Sequence, residues 1–142
     1  MNTRLAVATH ILTYIENRGG TPVPSEEIAV SVNTNPALIR RLLSQLTKAG
    51  LTTAQMGSGG GSMLARPARK ITLLDVLGAV DEERSVFALH DRPNLECPIG
   101  RNINAVLNKR ISAAEQAMEA QLAQTTIADM VGDITGLNQK AG

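Results

Sequence analysis

Residues 51–66 read Leu51-Thr52-Thr53-Ala54-Gln55-Met56-Gly57-Ser58-Gly59-Gly60-Gly61-Ser62-Met63-Leu64-Ala65-Arg66. Two short runs able to form strands flank the glycines. An amphipathic run, Asn35 to Ala49 closed by Gly50, stands immediately before them. The order is helix, strand, glycine turn, strand. Glycine reaches positive φ and lets backbone approach backbone closely, so a tight loop tip can lie against a phosphate or in a narrow groove. A flexible linker would also be glycine-rich, but its flanks would be polar and irregular, and these are not. A glycine hairpin directly behind a basic helix is the arrangement of a winged helix-turn-helix.

The residues upstream complete that pattern. Thr3 is placed to cap a helix from Arg4 to Asn17, with Leu5, Ala8, Leu12 and Ile15 on one stripe. Gly19-Gly20-Thr21-Pro22 ends it. Ser25 is read as the N-cap of a short helix through Val32, and Glu26 and Glu27 suit its positive end. Asn33-Thr34-Asn35 forms a turn, and Pro36 fits the first position of the next helix. There Ile39, Leu42, Leu43 and Leu46 share one face, with Ala37, Arg41, Ser44 and Lys48 opposite and Arg40 beside them. Helix, short helix, turn, helix is the helix-turn-helix order.

Downstream, Thr72 and Asp75 form a capping box for a helix to Val80. Residues 81–98 have no period. A long helix is predicted from Asn102 to Ala123, with Ile103, Val106, Leu107, Ile111, Ala114, Met118 and Leu122 as its apolar stripe. That stripe is too narrow for burial all round. It either packs back on its own domain or pairs with a second copy, and a two-fold dimer is the expectation. Thr126 and Asp129 suggest a last capped turn through Val131. The predicted architecture is mainly α with a small β-hairpin wing: a winged helix-turn-helix domain (1–80), a sensor or linker loop (81–101), a dimerisation helix and C-terminal helix (102–135) and a disordered tail (136–142).

Composition sets the bounds. The 142 residues suit one domain with an appended arm. Tyr14 and Phe87 are the only aromatics, which excludes stacking platforms for single-stranded nucleic acid. One cysteine excludes an internal disulfide and any all-cysteine metal or iron–sulfur site within one chain. No apolar run approaches membrane-spanning length and no targeting signal opens the chain, so no membrane partner and a cytoplasmic location are expected. Residues 1–70 hold eight Lys or Arg against three Glu, and residues 71–142 six against ten acids. A basic half beside an acidic half points to a polyanion on one surface.

The candidate DNA contacts follow from this frame. Asn35, Ala37, Leu38, Arg40 and Arg41 begin the recognition helix, whose N-terminal residues face base edges. Arg40 and Arg41 suit guanine O6/N7 or phosphate, although a solvated basic face is the plain alternative. Ser25 and Thr34 lie at the neighbouring helix start and turn. Thr3 and Arg4 sit where the first helix can meet the backbone, and Ser58, Gly59 and Gly60 offer the hairpin tip. Lys48, Arg66, Arg69 and Lys70 add long-range attraction without sequence information. The implied partner is double-stranded DNA with a palindromic operator, since a dimer matches repeated half-sites. No catalytic constellation is visible: no Gly-Lys-Ser/Thr follows the glycines, and no metal-ligand set or nucleophile–base pattern appears. The alternatives are a protein-interaction or dimerisation module, and a ligand-sensing regulator without redox input.

Ser25-Glu26-Glu27-Ile28-Ala29, Leu42 to Leu51 (LLSQLTKAGL), Gly57 to Gly61, Ile71-Thr72-Leu73-Leu74-Asp75-Val76 and Ala79-Val80-Asp81, in that order, resemble the Rrf2 family of bacterial transcription regulators. Asn2 to Ala8 and Cys97-Pro98-Ile99-Gly100 look similar to its YwnA-like branch. The resemblance implies a dimeric winged-helix repressor or activator whose sensor loop precedes the dimerisation helix. Iron–sulfur members place three cysteines in that loop, whereas this chain has Cys97 alone. No cluster and no other cofactor is therefore expected. Met56 replaces a wing arginine often found in the family, so the wing is expected to touch the DNA backbone rather than read bases.

Cys97 remains open between two readings. A lone cysteine is commonly an inert small hydrophobe. This one precedes a helix N-terminus, which favours thiolate, with Arg101 assisting and Glu96 opposing. The functional reading is redox sensing: oxidation to sulfenic acid, then a mixed disulfide with a low-molecular-weight thiol or a Cys97–Cys97 link across the dimer.

Overall fold

The computed structural model describes residues 2–81, 83 and 85–141. The elements run α1 (Arg4–Asn17), α2 (Ser25–Val32), α3 (Pro36–Lys48), β1 (Thr52–Gln55), β2 (Gly61–Leu64), a 3-10 turn (Ala68–Lys70), α4 (Leu73–Val80), α5 (Pro98–Leu122) and α6 (Ile127–Ala141). Mainly helical, with one antiparallel hairpin, this is the expected winged helix-turn-helix with a long helix behind it.

The apolar stripes read from the sequence meet in one core. Ala8, Ile11, Leu12 and Ile15 of α1 pack with Ile28 and Ala29 of α2, Ile39, Leu42, Leu43 and Leu46 of α3, and Val76 and Val80 of α4, all buried. α3 starts at Pro36, where no N–H is needed, and Asn35 caps it by accepting the Leu38 N–H at 2.9 Å. The Thr72–Asp75 capping box closes α4 in both directions, at 3.0 and 3.1 Å.

The ends of two helices differ from expectation. Ser25 is the first residue of α2, not its cap; Pro24 takes that position and makes no side-chain cap bond. Thr3 occupies the N-cap of α1 without a side-chain cap bond, and the Asn2 side chain accepts the Arg4 N–H instead, at 2.9 Å.

The hairpin pairs Thr52 with Leu64, Thr53 with Met63, Ala54 with Ser62 and Gln55 with Gly61. It is fastened to the body at three points. Val23, between α1 and α2, exchanges backbone bonds with Ser62 at 3.0 and 2.9 Å. The hydroxyls of Thr47 on α3 and Thr52 on β1 lie 2.8 Å apart, and Leu51 donates its N–H to the Leu46 carbonyl.

α5 is a 25-residue helix, about 37 Å long at 1.5 Å per residue, and it contains no buried residue. It starts at Pro98 rather than Asn102, because Pro98 serves as a helix-starting proline and Cys97 as the N-cap. Its C-terminal end returns to α4: Leu73 donates its N–H to the Thr125 carbonyl and Ile127 to the Ile71 carbonyl, both at 2.9 Å.

α6 is longer than the single turn through Val131 that local signals suggest, and residues 136–141 are helical rather than disordered; Gly142 lies outside the described residues. The Thr126–Asp129 capping box opens it, and it lies along α1, with Ile127 fully buried. Gly132 and Gly136 each cost a helix about 1 kcal/mol relative to alanine, and packing on α1 offsets that cost.

Candidate nucleic-acid interface

The helix-turn-helix leaves one face of α3 open. Ala37, Arg40, Arg41 and Ser44 are exposed on it, while Ile39, Leu42, Leu43 and Leu46 hold the opposite face in the core. Asn35 stands exposed at its N-terminus with its side-chain oxygen engaged in the cap. Thr34 is half-buried and donates its N–H to the Ala29 carbonyl at 3.0 Å, which closes the turn. Leu38 is half-buried and packs against the core. Ser25 is also half-buried.

The two arginines differ. Arg40 directs Nη2 to Glu26 Oε1 of α2 at 3.0 Å, with both side chains more than half exposed. The backbone N–H beside the Glu26 carboxyl and then Arg40 itself hold that group below the usual carboxylate range. Among the described residues Arg41 has no ion pair and faces solvent. In the sequence Glu26 reads only as a helix-end charge. Its second role spans 14 positions and two helices, so no local pattern signals it. The adjacent Glu27 turns the other way, accepting the Tyr14 hydroxyl at 2.6 Å and pairing with Arg18.

The hairpin tip carries Ser58 and Gly59 exposed and Gly60 half-buried. Gly59 has φ +76°, in the left-handed region. At Gly60 a Cβ would stand 2.2 Å from the Gln55 carbonyl oxygen, so the turn closes only over a residue without a side chain. Met56 is 87 % exposed beside the tip and fills no core gap. Thr3 and Arg4 are exposed at the start of α1. Arg4 is drawn to Asp81 at 3.8 Å, and Asn2 donates to the same carboxylate at 3.0 Å. Arg66 is similarly engaged, 3.8 Å from Asp75.

Away from this surface, Cys97 sits half-buried at the N-cap of α5. The backbone N–H groups of Gly100 and then Ile99 lower its thiol pKa. The preceding loop folds tightly over that end: Cys97 donates its N–H to the Asn94 carbonyl at 3.2 Å, and a Cβ on Gly100 would meet the same oxygen at 2.2 Å. Asn104 donates its side-chain amide to the His90 carbonyl at 2.6 Å, holding the loop along the helix. Along the stripe of α5, Ile103, Val106, Leu107 and Met118 are exposed, while Ile111 and Leu122 are half-buried.

Residues 1–133 match the model of the Rrf2 family, described as an iron-dependent transcriptional regulator. YwnA of Bacillus subtilis, a chain placed among the HTH-type transcriptional regulators, is 41 % identical over 134 residues, covering 94 % of this chain and 98 % of its own. A crystal structure described as that of a DNA-binding protein superposes with TM-score 0.73 at 37 % identity, over 89 % of this chain and 97 % of the other. CymR of B. subtilis, described as the global cysteine regulator of that organism, has the same fold, with TM-score 0.70 at 20 % identity over 93 % and 95 % of the two chains.

The donors of the described residues do not form an iron site within one chain. Cys97 is its one thiol, and among the described residues no three His, Cys, Asp or Glu side chains gather where they could hold a metal. Among those residues no helix is long and apolar enough to cross a membrane.

Proposed function

The chain belongs to the Rrf2 family of DNA-binding transcription regulators, and from that premise we propose a homodimeric repressor that reads a palindromic operator and responds to oxidants through Cys97. The open polar face of α3, fastened beside a glycine-tipped wing, carries the DNA reading. The N-terminus of α3 and its arginines enter the major groove, and the amides at Ser58, Gly59 and Gly60 lie against phosphate.

The exposed part of the α5 stripe supports pairing with a second copy. A helix of this length with no buried residue leaves apolar area exposed to water, and a two-fold copy supplies the same stripe to cover it. Two reading heads then meet half-sites about one helical turn apart. A dimer standing on promoter DNA obstructs transcription, so repression is the assigned sign.

Cys97 supports the redox input by its position. Its lowered pKa favours the thiolate, the form that attacks a peroxide. The sulfur gains one oxygen and loses two electrons to the peroxide, whose O–O bond breaks with release of hydroxide or alkoxide. A low-molecular-weight thiol, or the second copy's equivalent cysteine, then displaces water to form a disulfide.

Gel shift on the DNA upstream of the chain's own gene tests the reading. The wild type is expected to retard it, and Arg40→Ala combined with Arg41→Ala is expected to lose the shift. Equal retardation by the double variant would remove α3 from the interface. Dimerisation with no DNA binding by the wild type would favour a protein-interaction module.

A further inference from the structure

The contact between Arg40 and Glu26 has a direction that matters once α3 lies in DNA. Arg40 uses one terminal nitrogen, Nη2, on the carboxylate. Arginine has five N–H donors in a rigid fork, so the other edge of the guanidinium remains for a partner outside the protein. Glu26 belongs to α2, whose two ends are fixed by the core and by Glu27 on Tyr14. Carboxylate and guanidinium are both more than half exposed on helices packed into the core, and each restricts the other where they meet.

We propose that Glu26 is a specificity-determining positioning residue: it orients Arg40 for a guanine in the major groove and weakens phosphate contacts that are blind to sequence. The proposal rests on the DNA-reading function above. A free arginine on a helix face samples nearby phosphates, which attract it at any sequence. Held by a carboxylate on one side, the fork can present its remaining donors to O6 and N7 of guanine, a pairing that discriminates between bases. The carboxylate also repels the phosphates around it. Glu26 stays ionised at neutral pH through its own backbone N–H and Arg40, so the repulsion persists. Arg41, with no such partner among the described residues, supplies the unselective attraction.

The test is selection from a randomised DNA duplex pool by the full chain, for the wild type, Glu26→Gln, Arg40→Ala and the double variant, with affinity for a random duplex measured across salt. Glu26→Gln is expected to lose the base preference at the same position as Arg40→Ala, by about fivefold or more in discrimination. It should bind random duplex more tightly, whereas Arg40→Ala binds it more weakly. The double variant should lose no further discrimination. With both side chains more than half exposed, melting temperatures should stay near wild type. A Glu26→Gln protein that keeps the wild-type preference overturns the proposal. So does one that loses preference uniformly at every position together with a lowered melting temperature, since that marks a structural role. A wild-type chain that enriches no sequence overturns the DNA-reading function and this proposal with it, whereas retained wild-type selectivity in Glu26→Gln leaves that function standing.

Discussion

The N–H of Ile127 donates to the carbonyl of Ile71 at 2.9 Å, and both side chains are fully buried. The root of the last helix is thereby joined to the residue that leads out of the wing segment into α4. A position that reads as an ordinary helix start in sequence is a structural joint between the arm and the reading head.

Truncation there should be costly. Ile127→Ala is expected to lower stability by about 2–4 kcal/mol, the range for deleting a buried isoleucine side chain down to its β-carbon. Chemical denaturation measures it. A loss below about 1 kcal/mol would mean that α6 is not part of the cooperative core.

Gly61 lies against Val23, where an added Cβ would stand 2.5 Å from a backbone carbon and 2.6 Å from the carbonyl oxygen. Backbone cannot swing aside as a side chain does. Gly61→Ala is expected to detach the wing from the α1–α2 loop and cost about 1–3 kcal/mol. DNA affinity should fall with it, read by gel shift and melting on the same preparation. Unchanged values in both would remove the Val23–Ser62 link from the account.

Arg41→Ala should weaken binding to specific and random duplex alike. Its signature is the salt dependence: the slope of log affinity against log salt should become shallower by about 1. An unaltered slope would take Arg41 off the phosphates.

Ile103→Glu with Val106→Glu places two charges on the exposed part of the α5 stripe. Sedimentation is expected to turn a dimer into a monomer, with helix content preserved because neither side chain is buried within the chain. A variant that still sediments as a dimer would place the interface elsewhere.

Cys97 should titrate below an ordinary thiol. The folded chain lowers its pKa through the Gly100 and Ile99 N–H groups, so the thiolate's contribution to stability is present above the unfolded value and lost as pH falls through the folded one. Alkylation rate against pH should have a lower midpoint in the native protein than in denaturant. Equal midpoints would contradict the N-cap geometry. Cys97→Ser should abolish any oxidant effect on operator binding, and a response that persists in this variant would assign the sensing elsewhere.

Features held within a few residues were legible in the sequence. The α3 stripe, Pro36 at its start, the Thr72–Asp75 box and the glycine hairpin all work through contacts at short separation. What was hidden depends on partners far along the chain. α6 continues past two glycines because α1 lies alongside it, and nothing near Gly132 or Gly136 announces that support. Pro98 closes the stretch without a period, yet its ring suits the start of a helix once the loop folds over Gly100. The candidate site divides the same way: the exposed face of α3 follows from its period, but the tie between Arg40 and Glu26 needs the crossing of two helices.

The chain departs after Val80 and returns at Thr125, next to Leu73, so residues 81–125 leave and rejoin at opposite ends of one eight-residue helix. Those two points are about 10 Å apart along α4. In the proposed dimer, whole turns added to this excursion or removed from it would alter how far apart the two reading heads are held. In the proposed dimer, half-site spacing and base preference would then reside in different parts of the chain, joined at that short base and where Asn2 and Arg4 meet Asp81.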